Sequence, residues 1–263
     1  MSEQQTVTDQ HLKVSVDNGV MTIQFNRPQA LNAVTREVIL ALDEAIERAA
    51  TEARAVVITG DERSFCSGAD LAGAANSSGG GGGVGLDVVN ALIRKIRDLQ
   101  VPTVAAVSGP AAGVGCSLAL ICDYVVMSEN SYLMLAFTRI GLMPDGGATA
   151  LVAASAGRHR ALRMALTAEK VKAPTALEWG LASEVASADT YLQRAQEIAT
   201  TFAQGPTLSL GITEAAINQA ALSELDAALD RELEGQATLS ATADFKEGVQ
   251  AFLQKRTAKF EGK

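Results

Sequence analysis

The chain has 263 residues, 22 Lys+Arg against 30 Asp+Glu for a formal net charge of −8, 48% hydrophobic residues and only 4% aromatic ones. That length accommodates one large domain, or a domain with an appendage, around a substantial core. The acidic balance and the scarcity of rings exclude a basic, base-stacking surface and with it a nucleic-acid partner.

Residues 12–17 and 20–26 alternate around Asn18-Gly19, a dipeptide that accepts positive φ at both places and so predicts a tight β-hairpin. Asn26-Arg27-Pro28 breaks the second strand, and Ile39, Leu42, Ile46 and Ala49 then recur at helical spacing, predicting a helix over about 34–52. Ala55-Val56-Val57-Ile58-Thr59-Gly60 is continuously β-branched and apolar, the pattern of a strand covered on both faces. The low-complexity segment at 73–85, with five consecutive glycines, costs too much backbone entropy to form an ordered element alone and predicts a mobile loop. A helix carrying Leu86, Val89, Ile93 and Ile96, a strand at Thr103–Val107, a helix over about 113–121 and a strand at Tyr124–Met127 repeat the pattern. Alternation continues to about residue 200, with Arg158-His159-Arg160 read as a solvated turn between helices. Beyond it the sequence is helical, broken at Pro206 and at Ala221-Leu222-Ser223, and the stripe Leu225, Leu229, Leu233 predicts packing on another subunit. The expected division is a core over 1–200 and a helical oligomerisation region over 201–263.

Three cysteines, Cys66, Cys116 and Cys122, are too few for a disulfide framework and imply a reducing compartment. No run approaches the ~20 apolar residues that cross a bilayer, so the chain reads as cytoplasmic with no membrane partner. His11 and His159 lie far in sequence from the cysteines, which leaves a metal site without support.

Two segments carry the chemistry. Ser64-Phe65-Cys66-Ser67-Gly68-Ala69-Asp70-Leu71 and Gly109-Pro110-Ala111-Ala112-Gly113-Val114-Gly115-Cys116-Ser117 each follow a β-like run, are rich in small residues and lead toward helical sequence. Each can therefore present backbone N–H groups unobstructed. Facing one another they would form an oxyanion hole, in which one well-placed donor lowers a barrier by roughly 2.7–4 kcal/mol. The plain alternative for the first segment is a turn that merely joins strand to helix. The second reads G-x-x-x-G-x-G, a poor match to the dinucleotide fingerprint.

In order, Asn26-Arg27-Pro28, Ala30-Leu31-Asn32-Ala33, Phe65 through Leu71, Gly109 through Asp123, Gly141 through Gly147, Glu178-Trp179-Gly180-Leu181 and Phe245-Lys246-Glu247-Gly248 with Phe252 and Lys255-Arg256 resemble the crotonase superfamily, the enoyl-CoA hydratase/isomerase family. The resemblance implies an α/β spiral of repeated ββα units, a C-terminal helical region that builds a homotrimer, often doubled into a hexamer, and an acyl-CoA thioester as substrate, with no cofactor apart from the coenzyme A it carries. It assigns the oxyanion amides to Ala69 and Val114, the latter where the family frequently has glycine. It assigns coenzyme A contacts to Ala30, Leu31, Ala33, Asp70 and Leu71, and matches Phe252 and Lys255 to positions that reach the adenine end of coenzyme A from a neighbouring subunit. Hydratase members hold water between two glutamates; at those positions stand Ser117 and Phe137. Asp145 occupies the place where several isomerase members carry an acid, and a pocket of Phe137, Leu142 and Met143 would raise its pKa. An N-cap for a helix at 147–156 is its plain alternative.

The implied reaction is double-bond migration in an enoyl-CoA, with Asp145 moving the proton. Alternatives are hydration, ring-opening isomerisation of an epoxyphenylacetyl-CoA, and acyl-CoA binding without turnover. No Asp–His pair stands ready to activate Ser117, and Cys66 and Cys116 fit better as small packing residues than as nucleophiles.

Overall fold

The computed structural model describes residues 5–8, 10–71 and 84–263, so the glycine-rich segment expected to be a loop falls outside the described residues except at Val84 and Gly85. Strand β1 (Gln5–Thr8) pairs antiparallel with β2 (Leu12–Asp17), and β2 with β3 (Val20–Phe25). The β2–β3 turn has Asn18 at φ 50° and Gly19 at φ 82°, the left-handed pair its sequence predicts. Helix α1 (Arg36–Glu52), capped by the Thr35 hydroxyl accepting from the Val38 N–H, crosses over to β4 (Ala55–Thr59), which lies parallel to β3. A second crossover through α2 (Leu86–Arg97) leads to β5 (Thr103–Val107), parallel to β4.

Every residue of β4 and β5 is buried, and alternate side chains enter different cores. Val56 and Ile58 join the large core with α1 and α2; Ala55, Val57, Val104 and Ala106 meet Tyr191, Ala195, Ala199 and Ala203. This accounts for the unbroken apolar run, because both faces need nonpolar cover.

The chain continues through β6 (Pro110–Ala112), α3 (Val114–Leu120), β7 (Tyr124–Ser128), β8 (Tyr132–Met134) and a 3₁₀ turn at Ala136–Ile140. Then come α4 (Ala148–Ala156), α5 (Arg158–Thr167), β9 (Val171–Lys172), α6 (Ala173–Glu178) and β10 (Glu184–Ala186). Four helices end the chain: α7 (Tyr191–Gln204), α8 (Thr207–Ala221), α9 (Leu225–Ser240) and α10 (Ala243–Leu253). The main sheet has order β1-β2-β3-β4-β5-β7-β10, and a small sheet β6-β8-β9 stands beside it. The architecture is the expected mixed α/β fold.

Two local readings are corrected. His159 lies in the first turn of α5 rather than in a turn between helices, because Gly157 alone makes the α4–α5 corner. The α9 stripe does not await another subunit: Leu225 and Leu229 are fully buried in the chain's own large core, and of the three only Leu233 is exposed. Large apolar side chains stand outward on α8 instead, at Leu208, Ile212 and Ile217. Among the described residues no helix is long and apolar enough to cross a membrane.

Candidate active site

The two glycine-containing segments emerge beyond β4 and β5 and run side by side in parallel. Cys66 N–H donates to Pro110 O (3.1 Å) and Ala112 N–H to Cys66 O (2.9 Å). Their closeness demands glycine at Gly68 and Gly115, and the backbone conformation favours it at Gly113. A Cβ on Gly68, whose φ is +104°, would stand 3.0 Å from Ala112 O; one on Gly113, at φ +56°, would lie 3.6 Å from the Gly68 Cα; one on Gly115 would strike Cys66. Ala69 and Val114 are the residues immediately after the touching pair Gly68 and Gly113, so the fold brings the two expected amides into one neighbourhood. Among the described residues neither N–H donates to a protein acceptor, and Val114 is the first residue of α3, where helical geometry leaves the amide unpaired.

On the other side of the first segment lies the stretch from Arg27 to Val34. Val34 N–H donates to Gly68 O (2.8 Å) and Asp70 N–H to Val34 O (2.9 Å), while Ser67 N–H and the Ser64 hydroxyl both donate to Leu31 O (3.1 and 2.8 Å). Leu31 and Asn32 adopt left-handed φ of 50° and 55°. Asn32, fully buried, holds that bend by donating to Ser64 O (2.8 Å) and accepting from Arg27 N–H (3.0 Å). The Arg27 guanidinium donates to Ala33 O and pairs with Asp70 Oδ2 at 2.9 Å. Ala30, Leu31, Ala33, Asp70 and Leu71 are thereby gathered against the Ala69 loop. The clamp role of Arg27 and Asn32 was not legible beforehand; the Asn-Arg-Pro triplet signals only where a strand stops.

The third component follows β8. The Phe137 ring lies 3.8 Å from where a Gly113 Cβ would be, and Leu142 N–H donates to Phe137 O (3.0 Å); both side chains are buried. Ser117, one helical turn beyond Val114, donates its hydroxyl to the Asp145 backbone carbonyl at 2.8 Å, tying the acid's segment to α3. Asp145 itself is only 6% exposed, and its Oδ2 accepts from Gln236 Nε2 of α9 at 2.7 Å. Burial, and then the nearby Glu232 charge, push its carboxyl up to about 7, with the Gln236 hydrogen bond acting in the opposite direction. Asp145 does not cap α4. That task falls to Glu232, which accepts from Gly147 N–H (2.7 Å), Thr149 N–H (2.9 Å) and the Thr149 hydroxyl. Burial raises the Glu232 carboxyl and these donors oppose the rise.

Cys66 and Cys116 are buried free thiols pushed up to about 12 by burial, which makes them packing residues at neutral pH. Phe252, 60% exposed, and Lys255 lie at the outer end of α10, whose Gly248 packs against the Ile140 backbone. Among the described residues no group of three His, Cys, Asp or Glu side chains could hold a metal ion. An open groove of about 640 Å³, lined by Ile212, Thr213, Ala216 and Ile217 among others, runs along α8 and shares no residue with this site.

The sequence pattern of the enoyl-CoA hydratase/isomerase family matches residues 15–263. The 1,2-epoxyphenylacetyl-CoA isomerase of Escherichia coli K12 is 38% identical over 254 residues, 94% of this chain and 97% of that protein. A probable enoyl-CoA hydratase of Rhodobacter capsulatus is 37% identical, covering 96% of this chain and 98% of that protein. The crystal structure of an enoyl-CoA hydratase from Mycobacterium avium subsp. paratuberculosis K-10 superimposes with a TM-score of 0.88 at 46% identity, over 95% of this chain and 98% of that one. On the fold, the paired glycine segments and this likeness along nearly its whole length, the chain belongs to the enoyl-CoA hydratase/isomerase family of the crotonase superfamily.

Proposed function

We propose that this protein moves a double bond within an enoyl-CoA, converting a 3-enoyl into a 2-enoyl thioester. The thioester oxygen sits on the amides of Ala69 and Val114. Asp145, ionised, takes a proton from C2; the C–H electron pair moves into the thioester as an enolate held by the two amides. When the enolate collapses, Asp145 gives the same proton to C4 and the alkene has shifted by one bond. A carboxyl near 7 suits both halves of this transfer.

The observation that carries the reading is a buried acid, Asp145, whose backbone carbonyl accepts from Ser117 of the same short helix that begins with Val114. Ser117 spends its hydroxyl on the Asp145 carbonyl and the apolar Phe137 ring borders Gly113, so neither provides the carboxylate that resemblance associates with hydration. Relatives of near-equal identity are named isomerase and hydratase, so the choice rests on the site. A second reading, ring-opening isomerisation of an epoxyphenylacetyl-CoA, draws support from the activity named for the Escherichia coli relative.

Incubating wild type and Asp145→Asn with 3-enoyl-CoA, 2-enoyl-CoA and an epoxyphenylacetyl-CoA, with product analysis, separates the readings. Isomerisation lost in Asp145→Asn supports the proposal. Isomerisation untouched by the substitution, or dominant 3-hydroxyacyl product, overturns it, and binding without turnover of any substrate identifies an acyl-CoA-binding protein.

A further inference from the structure

Resting on that reading, we propose that Gln236 and Glu232, one turn apart on α9, are positioning residues for Asp145: Gln236 immobilises Oδ2 so that Oδ1 carries the travelling proton, and Glu232 sets the readiness of the acid to hold it.

The Gln236 amide has two hydrogens, and both are engaged. One goes to Met143 O at 2.8 Å and the other to Asp145 Oδ2 at 2.7 Å. The Met143 contact fixes the amide's orientation, because a flipped amide would set Oε1 against a carbonyl oxygen, two acceptors facing one another. Oδ2 is therefore presented with a donor in either protonation state of Asp145, and Oδ1 is the atom left to release and take up a proton. The side chain is 1% exposed and its own Oε1 has no partner among the described residues. A buried acceptor left unpaired is unfavourable. What the amide gains is the double donation to the segment of the acid.

Glu232 acts through charge. It receives three donors, the N–H of Gly147, the N–H of Thr149 and the Thr149 hydroxyl, an arrangement that suits an ionised carboxylate rather than a protonated one. It reaches the N-terminus of α4 two residues beyond Asp145, fully buried, and its charge favours the protonated form of Asp145. From α3 the Ser117 hydroxyl donates to the acid's backbone carbonyl, and α2 presents Val89 toward the adjoining Gly146. Among the described residues Glu232 is thus the one charged side chain whose field bears on Asp145. The two α9 residues pull in opposite directions, Gln236 toward the carboxylate and Glu232 toward the acid.

That opposition supplies the test. The ionisation of Asp145 is followed by ¹³C NMR of protein labelled at aspartate carboxyl carbons, the resonance being assigned by its absence in Asp145→Asn. Glu232→Gln is expected to move the Asp145 titration down by roughly one unit, and Gln236→Met to move it up. The acidic limb of kcat/KM for 3-enoyl-CoA isomerisation should follow in the same two directions. A purely structural role would displace both titrations alike, through general loosening. Shifts of the same sign, or none, overturn the inference. If either variant fails to fold, the titration of the other decides alone, by its sign. Full turnover in Asp145→Asn would remove the isomerase reading while leaving the carboxyl titrations to be judged separately.

Discussion

Val114→Pro isolates one amide. Proline removes a single N–H that the fold does not use, because Val114 is the first residue of α3 and its amide has no acceptor among the described residues. A proline ring nearly fills the space of valine. The residue before it is Gly113, at φ 56° and ψ −132°, the mirror image of the extended conformation that precedes proline in ordinary chains, and an achiral residue adopts it without a Cβ clash. The fold should therefore survive, with melting temperature within a few degrees of wild type. Loss of one oxyanion donor costs about 2.7–4 kcal/mol in the transition state, so kcat should fall by about 10²–10³. The assay is conversion of a 3-enoyl-CoA, followed at saturating substrate with the folded fraction checked by circular dichroism. A variant that folds and retains kcat within a few-fold of wild type would refute the placement of the oxyanion at Val114.

Asp145→Asn should lower kcat for the same conversion by about 10²–10⁴, the usual worth of a positioned acid–base group, while the Kd for a non-reactive acyl-CoA changes little. The wild-type kcat/KM should rise with pH through about 7 as Asp145 ionises. For stability the sign runs the other way: a carboxyl whose folded pKa lies above its ordinary 3.8 holds a proton that the unfolded chain releases, so the contribution of Asp145 to stability declines as pH climbs from about 4 to about 7 and is then level. Denaturant unfolding of Asp145→Asn should lack that decline and gain a few kcal/mol over wild type above pH 7. Arg27→Met cuts the clamp from Ala33 O to Asp70 and should raise KM for acyl-CoA several-fold with a smaller change in kcat, measured by steady-state kinetics. Gly115→Ala drives a methyl into Cys66 and should cost about 1–3 kcal/mol by denaturant titration, with activity falling in parallel as the segments separate.

Much of this architecture was legible because its signals are local. Asn18-Gly19 states its turn within two residues, and the unbroken run at 55–59 states that both faces are covered. The small residues around 68 and 113–115 announced exposed main-chain amides and two segments facing one another, although not the parallel hydrogen bonds that join them. What stayed hidden lies between distant parts of the chain. Gln236 and Glu232 meet Asp145 and the start of α4 from α9, and no spacing rule links such positions. The same gap misdirected Leu225 and Leu229: an amphipathic stripe reports that something covers it, and here the cover is the chain's own core. Arg27 was visible as a strand breaker, while its clamp depends on the bend at Leu31 and Asn32, which hydrophobic pattern does not encode.

The paired glycine segments meet main chain to main chain, with no side chain interposed between Gly68 and Gly113. The hydrogen bonds from Cys66 N–H to Pro110 O and from Ala112 N–H to Cys66 O are likewise main chain to main chain, so exchanging the Phe137 ring leaves them in place, whereas Ser117 and Asp145 are bonded to one another. A laboratory library that spares the three glycines and randomises position 137 would vary the surroundings of the two amides on an unchanged backbone.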